Sequence, residues 1–195
     1  SDVCSSDLNR YEPESMWVYE IGAKTSWLDN RLQINGALYY QDYSAKQVSL
    51  TVVDPLTQQL TLKTVNAAKA SVKGLELDIN AALTDRVSFN VGYTYNDGKY
   101  DEFIDLQSGV SAISRAAINN PNSCTVVAVG TPAQNRCQIS YAGNQHEGSP
   151  KHSLQLGGEV RGDLTDKLGW FVDTDLRYTS KRFTSFENYL FMEPY

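Results

Sequence analysis

Residues 19–41 read YEIGAKTSWLDNRLQINGALYYQ, and the period within them decides the fold. Tyr19, Ile21, Ala23, Thr25 and Trp27 share one side, while Glu20, Gly22, Lys24 and Ser26 share the other. After Asp29-Asn30 the pattern resumes with Leu32, Ile34, Gly36, Leu38 and Tyr40 against Gln33, Asn35, Ala37, Tyr39 and Gln41. A two-residue repeat is the signature of a strand. Asp and Asn tolerate the positive φ angles of a tight hairpin. Closing the turn at Leu28 and Arg31 pairs Trp27 with Leu32, Thr25 with Ile34, Ala23 with Gly36, Ile21 with Leu38 and Tyr19 with Tyr40. A slip of one residue would exchange the faces, so this agreement along the whole hairpin is a strict test of register.

Two more hairpins follow the same rule. Leu75, Leu77, Ile79, Ala81 and Leu83 are predicted to meet Tyr95, Tyr93, Val91, Phe89 and Val87 across Thr84-Asp85-Arg86. Leu154, Leu156, Gly158 and Val160 are predicted to meet Leu176, Thr174, Val172 and Trp170, with a turn near Asp163 to Lys167. The reading is all-β, an antiparallel meander of about six long strands, each longer than the 5–6 residues of an ordinary strand. Short turns at 28–31, 83–87 and 162–168 alternate with long connections at 46–70 and 97–149. That asymmetry is expected of an outer-membrane barrel.

The aromatic residues point the same way. Trp27 and Trp170 stand beside short turns, and Tyr19 and Tyr178 follow eight residues away on the same faces. At about 3.3 Å per residue and a tilt of roughly 40°, that is on the order of 20 Å along a membrane normal, near the spacing of two aromatic girdles. The opposite faces carry Glu20, Lys24, Glu76, Asp78, Glu159, Arg161, Asp173, Asp175 and Arg177. A dry core does not hold such charges unpaired, whereas a watery lumen does. The mean hydropathy of −0.40 is compatible with this, because alternating strands average to a polar value. A formal net charge of −6 argues against nucleic acid as a partner.

Three stretches, PESMWVYEIGAK (13–24, its hairpin ending in YYQDYSAKQV), NAAKASVKGLELDI (66–79) and SPKHSLQLGG (149–158), occur in one order. Together they resemble TonB-dependent receptors of the siderophore or iron-complex type, over about residues 11–183. The resemblance implies the C-terminal part of a transmembrane barrel of about 22 strands in the cell outer membrane. Its partners would be outer-membrane lipid, a small-molecule ligand such as a ferric chelate, and TonB, reached through an N-terminal plug region that this sequence does not contain. The final strands of the barrel are also expected to be absent. Residues 9–195 are read as this partial barrel. Residues 1–8, SDVCSSDL, resemble a translated sequencing adapter and are set aside as an artefactual tail. The fragment alone is expected not to span a membrane, because open edges leave backbone groups unpaired in lipid.

Chemistry-bearing residues are few. No Ser-His-Asp arrangement, phosphate loop or HExxH is legible, so no catalytic residue, metal site or cofactor is expected, and the protein is not read as an enzyme. Cys124 and Cys137 are expected to form a disulfide in an oxidising compartment; closing about 14 residues is worth roughly 3 kcal/mol in the chain-entropy account. The 97–149 connection also carries Tyr100, Phe103, Arg115, Arg136, Tyr141 and His146. Arg115, Arg136 and His146 are the candidate ligand-binding residues, the arginines by attracting an anionic chelate. The competing functions are a passive outer-membrane porin and a soluble β-rich adhesin.

Lipid exposure separates the barrel from the adhesin. An arginine placed midway along the Tyr19–Trp27 face is expected to cost about 2–4 kcal/mol of folding free energy in bilayers. Denaturant titration in liposomes checks this, and an unchanged midpoint contradicts a lipid-facing strand.

Overall fold

A computed structural model of the chain describes residues 12–53, 60–107, 124–129 and 134–195, with the backbone alone described for some strand residues, among them Cys124, Arg136 and Cys137. The segment read as an adapter-like tail lies outside the described residues. The strands are β1 (Ser15–Trp27), β2 (Leu32–Val53), β3 (Leu60–Thr84), β4 (Val87–Gln107), β5 (Cys124–Val129), β6 (Gln134–Ser140), β7 (His152–Thr165), β8 (Leu168–Thr179), β9 (Arg182–Phe183) and β10 (Phe191–Met192). Hydrogen bonding orders the first six as β1-β2-β3-β4-β6-β5, while β7 pairs with β4 and β8, and β9 with β10. The six long strands of the sequence reading are β1–β4, β7 and β8. The chain forms two compact units, residues 18–41, 72–98 and 145–195 in one and residues 1–17, 42–71 and 99–144 in the other.

The first of these units contains the short turns. Asp29 and Asn30 adopt φ of 53° and 68°, as the hairpin reading requires, and Leu28 joins them at 54°. Arg31 N–H closes the turn on Leu28 O at 3.0 Å. Tyr19 and Tyr40, predicted as partners, stack with centroids 6.4 Å apart. The other two turns share Leu-Thr-Asp followed by a basic residue, Leu83-Thr84-Asp85-Arg86 and Leu164-Thr165-Asp166-Lys167. They also share a device: Thr84 Oγ1 accepts from Arg86 N–H at 3.1 Å and Thr165 Oγ1 accepts from Lys167 N–H at 3.3 Å. Threonine thus closes each turn locally with its own side chain.

The third hairpin departs from the expected pairing. Leu154, Leu156, Gly158 and Val160 have Tyr178, Leu176, Thr174 and Val172 as partners, two residues further along β8 than predicted. The strands run on past Gly162, opposite Trp170, to a tight turn with Thr165 opposite Leu168, and an irregularity between Asp163 and Thr165 absorbs the extra residue. A two-residue shift keeps every side chain on its face, so the alternation is unaffected. On the other side of β7, Val87 to Tyr95 pair with Val160 to His152.

Ion pairs link the turns: Arg31 reaches Asp85 at 3.1 Å and Arg86 reaches Asp163 at 2.7 Å. All four side chains are more than half exposed, so each pair contributes at most about 1 kcal/mol. Packing does more. Gly74 lies directly beneath the Tyr39 ring, and a Cβ there would overlap it. An aromatic ring covering a strand glycine is a known means of holding register.

The other unit overturns the reading of 46–70 and 97–149 as long connections. β2, β3 and β4 extend far into them, and β5 and β6 form a further hairpin there. β6 pairs with β4, from Ile104↔Ser140 to Gln107↔Cys137. Val48, Leu50, Ala68, Ala70, Tyr100, Phe103, Ile139 and Tyr141 are buried as a core. Phe103 lies 5.2 Å from Tyr100 and 5.1 Å from Tyr141 between ring centroids. The three aromatics grouped with the loop residues therefore pack, with Tyr100 and Phe103 1% and 0% exposed.

Asn66 acts as a stand-in for a backbone unit. It accepts from Glu12 N–H at 2.7 Å and donates to Glu12 O at 2.8 Å and Ala45 O at 2.7 Å. Ala45 has φ of 53°, and around it the inward parity of β2 changes from odd residues to even.

Gly74→Ala is expected to destabilise by about 1–3 kcal/mol through overpacking. Combining it with Tyr39→Ala should recover part of that loss. Asp85→Asn should cost less than about 1 kcal/mol. Urea midpoints of the four proteins in detergent micelles check the ranking.

Candidate functional site

The polar face of the unit that holds the short turns forms an open groove. Glu20, Gly22, Lys24, Asn35, Ala37, Glu76 and Asp78 line one part of it. Gly92, Thr94, Ser153 and Gln155 line another, which shares Glu76 and Asp78. Most of these residues come from alternate positions of successive strands, as the two-residue period dictates, and Ala23, Gly36, Leu77 and Tyr93 border them from intervening positions. Asp78 accepts from Asn80 Nδ2 at 2.6 Å. Asp175 accepts from Gln155 Nε2 at 3.0 Å and from Arg177 Nε at 2.9 Å, so both its oxygens are engaged. Arg161 stands 3.6 Å from Glu159. Glu20, Lys24, Glu76 and Asp173 form no ion pair among the described residues. These four groups are exposed, which is the condition under which so acidic a face is stable.

On the opposite face Tyr19, Ile21, Trp27, Leu38, Val160, Val172, Leu176 and Tyr178 are exposed. The same strands therefore present a polar side and a broad apolar side. Among the described residues no three His, Cys, Asp or Glu side chains gather as a metal site.

The residues singled out from sequence scatter. Arg115 lies outside the described residues. Arg136 is on β6 with Val127 as its Cα partner. Cys124 has Ile139 as its partner and Cys137 has Val126, so the two cysteines stand on neighbouring strands, one diagonal apart. His146 belongs to the other unit, where its N–H donates to Gly98 O at 3.1 Å and its ring covers Gly98. His152 opens β7, with Nδ1 2.9 Å from the Tyr93 hydroxyl and its ring 5.3 Å from that of Tyr95. Its N–H donates to Ser180 Oγ at 2.9 Å.

Sequence reasoning missed Asn188, which organises this end of the unit. With φ of 58°, it accepts from Gln145 N–H at 2.8 Å and donates to Gln145 O at 2.8 Å. Gly148 N–H donates to Phe183 O at 2.7 Å, and Thr179 and Tyr195 exchange two backbone hydrogen bonds at 2.8 and 3.2 Å. Lys181 Nζ lies 3.7 Å from the Phe191 ring centre and 4.9 Å from that of Phe183. Segments 145–149 and 180–195 are thus tied by side chains that copy backbone pairing. An asparagine used this way leaves no periodic trace; only its tolerance of positive φ marks it.

Asn188→Ala removes both bonds to Gln145. Amide exchange at Gln145 should quicken roughly tenfold while the β7–β8 ladder keeps its protection. Exchange read by mass spectrometry checks this, and unchanged exchange at Gln145 contradicts the clamp.

Comparison with known proteins agrees with this architecture. Residues 6–195 match the family described as TonB dependent receptor-like, beta-barrel. A probable TonB-dependent siderophore receptor, PiuA of Acinetobacter baumannii, is 30% identical over 99 residues, 51% of this chain and 12% of that protein. The crystal structure of the siderophore receptor PiuA from Acinetobacter baumannii superposes with a TM-score of 0.62 at 22% identity, over 97% of this chain and 22% of that one. The ferric yersiniabactin uptake receptor FyuA of Yersinia pestis superposes with a TM-score of 0.60 at 15% identity, over 93% of this chain and 21% of that one. The chain spans about an eighth of the length of the curated relatives it matches. A family match over nearly the whole chain, on a sheet of long antiparallel strands with one polar and one apolar face, places this chain in the TonB-dependent receptor β-barrel family.

Proposed function

We propose that this chain is part of the outer-membrane barrel wall of a receptor that imports a ferric siderophore or a similar chelate. The observation that carries the reading is the family match over residues 6–195, seconded by 30% identity over 99 residues to a probable siderophore receptor. The apolar face then meets lipid, and the acidic polar face lines a hydrated lumen. Uptake of a scarce ligand through such a barrel draws energy from TonB, engaged through a plug region N-terminal to the barrel. Arg115 and Arg136 draw the anionic chelate toward the barrel, with His146 as a further ligand contact, and Cys124 and Cys137 staple the hairpin that bears Arg136.

Uptake of a radiolabelled ferric siderophore by iron-starved cells tests the proposal. Deleting the gene, or TonB, should abolish uptake of the cognate chelate. Uptake that persists without TonB overturns energy-coupled import in favour of passive diffusion. In the receptor, Arg115→Ala and Arg136→Ala should each weaken chelate binding several-fold, more at low salt than at high. Equal affinity in the variants discards the role given to the arginines.

A further inference from the structure

The β5–β6 hairpin carries two cysteines whose register keeps them apart. Cys124 has Ile139 as its Cα partner, and Cys137 has Val126. Diagonal neighbours of this kind stand about 7–8 Å apart. Disulfides span Cα separations of about 4.4–6.8 Å. Directly opposed positions meet that limit, and diagonal ones do not.

The two strands are not equally held. β6 is hydrogen-bonded on both sides, to β5 and, through the four pairs from Ile104↔Ser140 to Gln107↔Cys137, to β4. Its Ile139 is 3% exposed in the core. Among the described residues β5 pairs with β6 alone and ends the strand order. Sliding β5 by two residues leaves β6 in place and keeps every β5 residue on its own face. The slide sets Cys124 opposite Cys137, Thr125 opposite Arg136, Val126 opposite Asn135 and Val127 opposite Gln134. Ala128 and Val129, now opposite Asn135 and Gln134, leave the ladder.

We propose that closing a Cys124–Cys137 disulfide ratchets β5 two residues along β6, so that the hairpin has two registers selected by thiol oxidation. The oxidant is a disulfide donor, a small molecule or a protein. One cysteine thiolate attacks the donor disulfide and releases the first donor thiol. The second cysteine thiolate then attacks the mixed disulfide and releases the other. The two cysteine protons end on the two donor thiols, so the exchange balances without further redox equivalents. The proposal rests on the register alone and is independent of which ligand is imported.

The test uses the receptor as expressed from its gene and purified in detergent, with Cys4→Ser wherever that residue is retained. Oxidised glutathione closes the pair, and intact mass reads the loss of two hydrogens. A reference protein, Cys124→Ser with Val126→Cys, offers a pair already opposed in the described register. Oxidation of the native pair should raise roughly tenfold the exchange of whichever amide of the adjacent Ala128 and Val129 donates to β6, reversed by a thiol reductant. Oxidation of the reference should leave that amide protected. A native disulfide that forms with that amide still protected overturns the ratchet. So does a native pair that stays fully alkylatable under conditions that oxidise the reference.

Discussion

A backbone surrounded by hydrocarbon has no water to bond with, so each N–H and C=O in it must find a partner within the protein. Long antiparallel ladders meet that demand, and they leave side chains only two directions to take. From Val87 to Tyr95 every residue of β4 has a partner on β7, and β7 continues the ladder onto β8. Given that ladder, the rest is sorting. Tyr19, Ile21 and Trp27 go to one side, and Glu20 and Lys24 to the other. The ion pairs between turns are too exposed to direct the arrangement and serve at most to trim it. The Tyr39 ring over Gly74 contributes through close packing, which solvent does not weaken.

Where the sequence was legible, a turn and an alternation agreed. Asp29-Asn30 predicted a tight hairpin and adopts one. The third hairpin preserved its faces but lost its register, because the run from Asp163 to Lys167 gave no unique point of closure. The repeated Leu-Thr-Asp sequence held the missing information. Setting Leu164 against Leu168, as Leu83 was set against Val87, gives Gly162 opposite Trp170, which is the observed pair. The repeat matters because its threonine hydroxyl caps the turn at the same offset both times.

The stretches around 46–70 and 97–149 were illegible for a different reason. Their alternation changes phase. On β2, Tyr43 is less exposed than its neighbours, but beyond Ala45 it is Val48 and Leu50 that are buried. On β4, Asp101 and Glu102 are both exposed between buried Tyr100 and buried Phe103. A strict two-residue template scores such a strand as irregular, although each half is regular. The same breaks hide the core of Tyr100, Phe103 and Tyr141 from a periodic reading. Of the candidate ligand residues, His146 lays its ring over Gly98, and Arg136 stands on a strand of the hairpin. The clamps at Asn66 and Asn188 depend on contacts across 54 and 43 residues, beyond the reach of any local pattern.

The phase change at Ala45 also bears on how such a chain varies over evolutionary time. Inside an uninterrupted ladder, gaining or losing one residue inverts every side chain downstream. At a position where the alternation already changes phase, the strand is not held to a strict two-residue repeat. Length differences among relatives should therefore collect at Ala45 and at Asp101-Glu102, often as single residues, while Val87 to Tyr95 stays gap-free. An alignment that penalises every gap equally will misplace the segments beyond these points by one residue, turning inward-facing positions into apparent outward-facing ones.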